Sequence, residues 1–94
     1  MSDVLEESEL NEALKKLSNW DLEGKSIVRV IEFEEFMEGI DFVNLLADVA
    51  EEAGHHPDID IRYTRVTVGL TTHDAGGVTE ADLELAGRVD NLVD

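Results

Sequence analysis

Three histidines, His55, His56 and His73, are the side chains of this chain best suited to chemistry, and they are all the histidines it has. Histidine exchanges protons near neutral pH because both of its protonation states are populated there. A site that gathers two or three imidazoles can protonate a leaving hydroxyl while taking a proton from a neighbouring nitrogen. Three imidazoles can equally hold zinc or copper. A structural reading stands beside both: a His-His-Pro corner at 55–57 ends a helix, and His73 is a loop residue. With no cysteine among its 94 residues, the chain has no disulfides, no iron–sulfur or thiolate zinc site and no thiolate nucleophile.

For the histidines to meet, the elements around them must fold back on one another. Ile59, Ile61 and Tyr63 alternate with Asp60 and Arg62, and Val66, Val68 and Leu70 alternate with Thr67, Gly69 and Thr71. Both stretches read as half-buried strands. With Thr64-Arg65 as the turn between them, antiparallel pairing sets His56 beside His73. Before them, Phe36, Met37, Ile40, Val43, Leu46, Ala47 and Ala50 keep a helical period from 34 to 53, and Gly54 stands where a helix C-terminal glycine is expected. After them, Thr79-Glu80-Ala81-Asp82 forms a capping pattern ahead of Leu85, Ala86, Val89, Leu92 and Val93 on one helical face.

Upstream, Leu10, Ala13, Leu14 and Leu17 make an apolar stripe that predicts a first helix over 8–17. Trp20-Asp21-Leu22 leads through Glu23-Gly24-Lys25 into the β-branched run 26–33, which reads as a hairpin. The expected order is α-β-β-α-β-β-α. That is an α+β class, a four-stranded, mainly antiparallel sheet with its helices packed on one face, in a single domain over 1–94.

Glu51-Glu52-Ala53-Gly54-His55-His56-Pro57, followed by Tyr63, His73 and Asp82, resembles the signature of the pterin-4a-carbinolamine dehydratases. Trp20, Phe33, Phe36 and the run Thr71-Thr72-His73-Asp74-Ala75-Gly76-Gly77-Val78-Thr79 extend the resemblance over residues 5 to 93. It implies dehydration of a 4a-hydroxytetrahydropterin to the quinonoid dihydropterin, with no metal and no bound cofactor. It implies proton-transfer roles for His55 and His73, and a pterin-orienting role for His56. It also implies a homodimer or homotetramer, which agrees with the small core a chain of this length can bury. Relatives that serve as dimerisation partners of a transcription factor keep a non-catalytic binding module open as an alternative, as the residue types keep a histidine-based metal-binding protein open.

Four further residues are candidates to bind or orient the substrate: Glu51, Thr71, Thr72 and Asp82. Glu51 lies one helical turn before His55, where a carboxylate can fix an imidazole tautomer. Asp82, in the first turn of the last helix, can do the same or cap that helix. Thr71 and Thr72 bring hydroxyls near His73, although strand threonines need no functional reason. Tyr63 shares the alternation of Ile59 and Ile61 and reads as packing, Trp20 reads as core, and Gly76-Gly77 as a turn without the lysine or spacing of a phosphate loop. The identity of the pterin is not legible in these residues.

A formal net charge of −16, from 23 acidic and 7 basic residues, repels nucleic-acid phosphates and anionic lipids. No apolar run approaches the ~20 residues needed to span a bilayer, and the N-terminus has no secretion signal; the expectation is a cytoplasmic protein that binds neither nucleic acid nor membrane. So strong a self-repulsion suits a high-salt cytoplasm, where screening removes it. Unfolding followed against KCl concentration is expected to show strong stabilisation as salt rises, and a flat response counts against that adaptation.

Overall fold

The structure, a computed structural model, describes residues 3–93. Helix α1 (Glu7–Lys16) opens with a capping box between Glu6 and Glu9 and closes on Lys15 and Lys16, a charge order that complements the helix dipole. Strand β1 (Asp21–Glu23) turns through Gly24, at φ 60°, into β2 (Ser26–Glu32). Helix α2 (Phe36–Ala53) follows, again opened by a capping box, from Glu35 and Glu38. Strands β3 (Asp58–Arg62) and β4 (Arg65–Leu70) form a second hairpin, and α3 (Glu80–Val93) completes the expected α-β-β-α-β-β-α order. The four strands make one sheet in the order β1-β2-β4-β3, with every neighbouring pair antiparallel.

The core lies between one face of that sheet and the helices. Ile27 pairs with Leu70 and Ile31 with Val66, so four apolar side chains from the two central strands stand on the same face, joined by Val68. Leu10 of α1, Phe42 and Leu46 of α2, and Leu85, Ala86 and Val89 of α3 close over them, together with Trp20 at 2% exposure. Phe33 and Phe42 stack at 5.6 Å between ring centroids. A Cβ added at Gly39 would stand 3.3 Å from Val66 Cγ2 and 3.4 Å from Phe33 Cδ2; the glycine lets α2 approach the sheet this closely.

One charged group sits inside this apolar layer. Arg29, opposite Val68 on the covered face, sends its guanidinium to Asp90 of α3, whose Oδ1 also accepts the Trp20 indole N–H at 2.9 Å. A buried guanidinium is tolerable only when a carboxylate meets it.

Four expectations need correction. The β3–β4 turn is Tyr63-Thr64, because Arg62 pairs with Arg65, and Tyr63 takes the left-handed conformation at φ 54° with 75% exposure; it is an exposed turn residue. The ladder therefore runs two positions away from the expected register: Asp58 pairs with Gly69, which sets His56 opposite Thr71 and leaves His73 beyond the strand. Strand β3 is an exposed edge, with Ile59 and Ile61 open at 37% and 40%, because β4 is its only neighbour in the sheet. On α2 the buried seam is Gly39, Phe42, Leu46 and Ala50, whereas Phe36, Met37 and Ala47 face outward. Its apolar residues occupy a wider arc than one seam, and the period alone did not say which part meets the sheet.

Asp90→Ala leaves the Arg29 guanidinium and the Trp20 indole without their acceptor and is expected to lower the unfolding free energy by about 3 kcal/mol in urea titrations. The double variant Arg29→Met, Asp90→Leu is expected to recover the part of that loss due to the stranded guanidinium, while the Trp20 indole N–H stays without its acceptor.

Candidate active site

The site begins where α2 ends. Gly54 adopts φ 66° and ψ 27°, and the His55 N–H donates to the Ala50 carbonyl at 3.2 Å, which closes the helix and turns the chain toward β3. The two residues that follow carry their side chains in opposite directions. His55 points inward to α3 and is half-buried; His56 swings back over the last turn of α2 and is exposed.

Across from them, β4 runs out at Leu70 into a tight loop. The Thr72 N–H donates to the Gly77 carbonyl at 2.9 Å, and the Ala75 and Gly76 N–H groups return to the Thr72 carbonyl at 3.1 and 2.9 Å. Gly76, at φ 83°, supplies the left-handed residue that so tight a reversal needs. The loop is held from outside as well, since the Leu5 N–H donates to the Val78 carbonyl at 2.9 Å and Val4 lies where a Cβ on Gly77 would come within 3.0 Å of it. His73 and Asp74 stand exposed near the tip.

The polar centre of the site is Asp82, a carboxylate with no solvent exposure. Its Oδ1 accepts the Nε2–H of His55. Its Oδ2 accepts the Thr72 hydroxyl and the Thr79 main-chain N–H, both at 2.8 Å. Since the Thr72 proton is spent on Asp82, the hydroxyl–hydroxyl contact of 2.8 Å must run from Thr79 to Thr72. Three donors thus compensate the desolvation of one buried carboxylate, and no buried side-chain polar atom among the described residues lacks a partner. The same carboxylate caps α3 through Thr79, so capping and histidine contact are one arrangement. With Nε2 taken up by Asp82, Nδ1 is the other ring nitrogen of His55.

Glu51 meets a different histidine from the one its spacing suggested. Its carboxylate accepts from Nε2 of His56, not His55, because Gly54 turns the chain before His55 can reach back along the helix. The Thr71 hydroxyl donates to the Lys25 carbonyl at 2.6 Å, tying the site to the β1–β2 turn.

Gly54, His55, His56, Thr71, Thr72, His73 and Asp74 together line one open cleft of about 250 Å³. Although the β3–β4 ladder runs two positions away from the expected register, the three histidines share this cleft, because the loop after β4 folds His73 back toward the end of α2. Sequence reasoning passed over two of its members. Thr79 was read only as a cap, although its hydroxyl extends the Asp82 network, and Asp74 was given no role; the Thr-x-x-Asp spacing and the His73-Asp74 adjacency were the signals available. Among the described residues, no group of three or more histidine and carboxylate side chains is arranged to hold a metal ion, and no helix is long and apolar enough to cross a membrane.

Asp82→Ala strands the three donors and is expected to destabilise the fold by about 1–3 kcal/mol for each one left unmet. Thr72→Val, which removes one donor to Asp82 and the acceptor of the buried Thr79 hydroxyl, is expected to cost about 1–3 kcal/mol in the same urea titration.

Residues 3–92 match the family described as Pterin 4 alpha carbinolamine dehydratase. A protein of Koribacter versatilis, named provisionally as a pterin-4-alpha-carbinolamine dehydratase, is 51% identical over 92 residues, covering 98% of each chain. One of Trichormus variabilis with the same provisional name is 46% identical, covering 98% of this chain and 99% of its own. The crystal structure of a transcriptional coactivator/pterin dehydratase from Brucella melitensis superposes with a TM-score of 0.93 at 37% identity, over 98% of this chain and all of that one. A pterin dehydratase-like protein identified as a RuBisCO assembly factor in the alpha-carboxysome matches with a TM-score of 0.67 at 31% identity, over 79% of this chain and 88% of that one. On the strength of a profile match and of relatives that both run nearly end to end, the chain belongs to the pterin 4 alpha carbinolamine dehydratase family.

Proposed function

We propose that the chain is a hydro-lyase that converts a 4a-hydroxytetrahydropterin to the quinonoid dihydropterin and water by histidine acid–base catalysis. The observation that carries the reading is His55, anchored by a fully buried carboxylate on one nitrogen while it lines the same cleft as His73 and His56. Loss of water from a carbinolamine breaks the C4a–O bond as the N5 lone pair forms the C4a–N5 double bond. One group must give a proton to the departing oxygen and another must take the proton from N5. His55 and His73, both on the lining of the cleft, are suited to these two transfers, each typically worth about 10²- to 10⁴-fold in rate. His56, held by Glu51, is suited to orienting the ring, and Thr71 and Thr72 complete the wall beside it.

The chain acts, on this reading, as one domain in the cytoplasm. It associates as a homodimer or homotetramer, which the outward apolar residues Phe36 and Met37 of α2 and the open edge of β3 support. A non-catalytic role is the alternative, since the alpha-carboxysome protein is described as an assembly factor.

Adding the protein to chemically generated 4a-hydroxytetrahydropterin and following the quinonoid product by absorbance decides between them. Wild type is expected to accelerate dehydration, His56→Ala to raise KM more than it lowers kcat, and the His55→Ala, His73→Ala double variant to fall by at least about 10²-fold. Equal rates for wild type and the double variant overturn the enzyme reading.

A further inference from the structure

We propose that the cleft selects reduced pterins whose C6 substituent is uncharged, alkyl or hydroxylated, and discriminates against those bearing a phosphate ester; this rests on the dehydratase reading above. Two imidazoles are held by a carboxylate, His55 by Asp82 and His56 by Glu51, and a third carboxylate, Asp74, shares the cleft lining with His73, its neighbour in the chain. Even with all three rings protonated, the cleft carries no net positive charge to offer an anion.

The cations of the chain are committed elsewhere. Arg29 pairs with Asp90, Arg62 with Asp60, Arg65 with Glu32 and Arg88 with Glu52. Lys15 pairs with Glu12, and Lys16 lines a groove between α1 and α3. Lys25 comes nearest, since its main-chain carbonyl accepts from Thr71, yet it lines a separate groove beside Glu7 and not the histidine cleft, and its single charge stands against the field of a molecule at −16.

A phosphate ester carries about −1.5 to −2 near neutral pH. It would approach this site against the field and exchange its water for carboxylate-paired imidazoles. A hydroxylated or alkyl side chain meets no such barrier. The discrimination should therefore appear in binding and in kcat/KM, with little effect on kcat. It should also fade with salt, because the Debye length falls from about 10 Å at 0.1 M to about 3 Å at 1 M.

The test compares the 4a-hydroxy adducts of 6-methyltetrahydropterin and of a 6-phosphooxymethyl tetrahydropterin, from the lowest KCl at which the protein is folded up to molar KCl. The phosphate ester is expected to show a kcat/KM at least about tenfold lower at the low-salt end, where screening is weakest. That gap is expected to shrink severalfold with KCl, and to narrow in Asp74→Lys at constant salt. An equal or higher kcat/KM for the ester overturns the proposal, as does a gap indifferent to both KCl and Asp74→Lys, which would mark a steric cause. Fluorescence titration with 6-hydroxymethylpterin and its phosphate ester reads the same selectivity without turnover. A protein that binds the neutral pterin more tightly yet dehydrates neither adduct would sink the dehydratase reading and leave the selectivity standing; equal binding would sink the selectivity alone.

Discussion

The burial of one carboxylate governs this molecule. Asp82 has no access to water, so every lone pair it uses must be met by a protein donor, and the three that meet it come from three places: the end of α2, the loop after β4 and the first residue before α3. Satisfying the carboxylate therefore fixes the position of His55 relative to the loop that carries His73. The constraint is demanding because it is not adjustable: a displaced Thr72 or His55 would leave charge stranded in the interior.

The far end of α3 is held by a second arrangement of the same kind. Asp90 joins Arg29 of β2 and the Trp20 indole, eight residues along the helix from Asp82. Between these ties Leu85, Ala86 and Val89 supply apolar contact, which is strong but tolerant of sliding. The two carboxylates remove that tolerance and set the helix at one height over the sheet. The apolar core thus makes the fold stable, and the buried charges make it specific, at both ends of the element that supports the site.

Much of this was legible in the residues. Element order followed from periodicity, and the capping pattern at 79–82 identified both the start of α3 and the residue that anchors His55. The glycine at 54 marked the end of α2. What escaped was geometry that one residue of turn decides. Tyr63 reads as a strand residue because it continues an alternation, but as a left-handed turn residue it shifts the whole β3–β4 ladder. The Glu51 partner was misassigned for the same reason, since helical spacing was extended past a residue at which the helix had stopped. On α2, a helix with apolar residues over much of its circumference does not announce which arc is covered; Phe42 and Gly39, not Phe36 and Met37, proved to face the sheet.

The ties that build the cleft also join positions far apart in the chain. Leu5 meets Val78, Lys25 meets Thr71, Arg29 meets Asp90 and His55 meets Asp82. None of these forms within a single helix or hairpin, so a partly folded chain with its helices and both hairpins in place would still have no cleft. Closing such long loops comes at an entropic loss that is recovered only when the distant groups dock. The site and the core consequently belong to one cooperative unit, and a partly folded form of this chain would carry secondary structure without the histidine cleft.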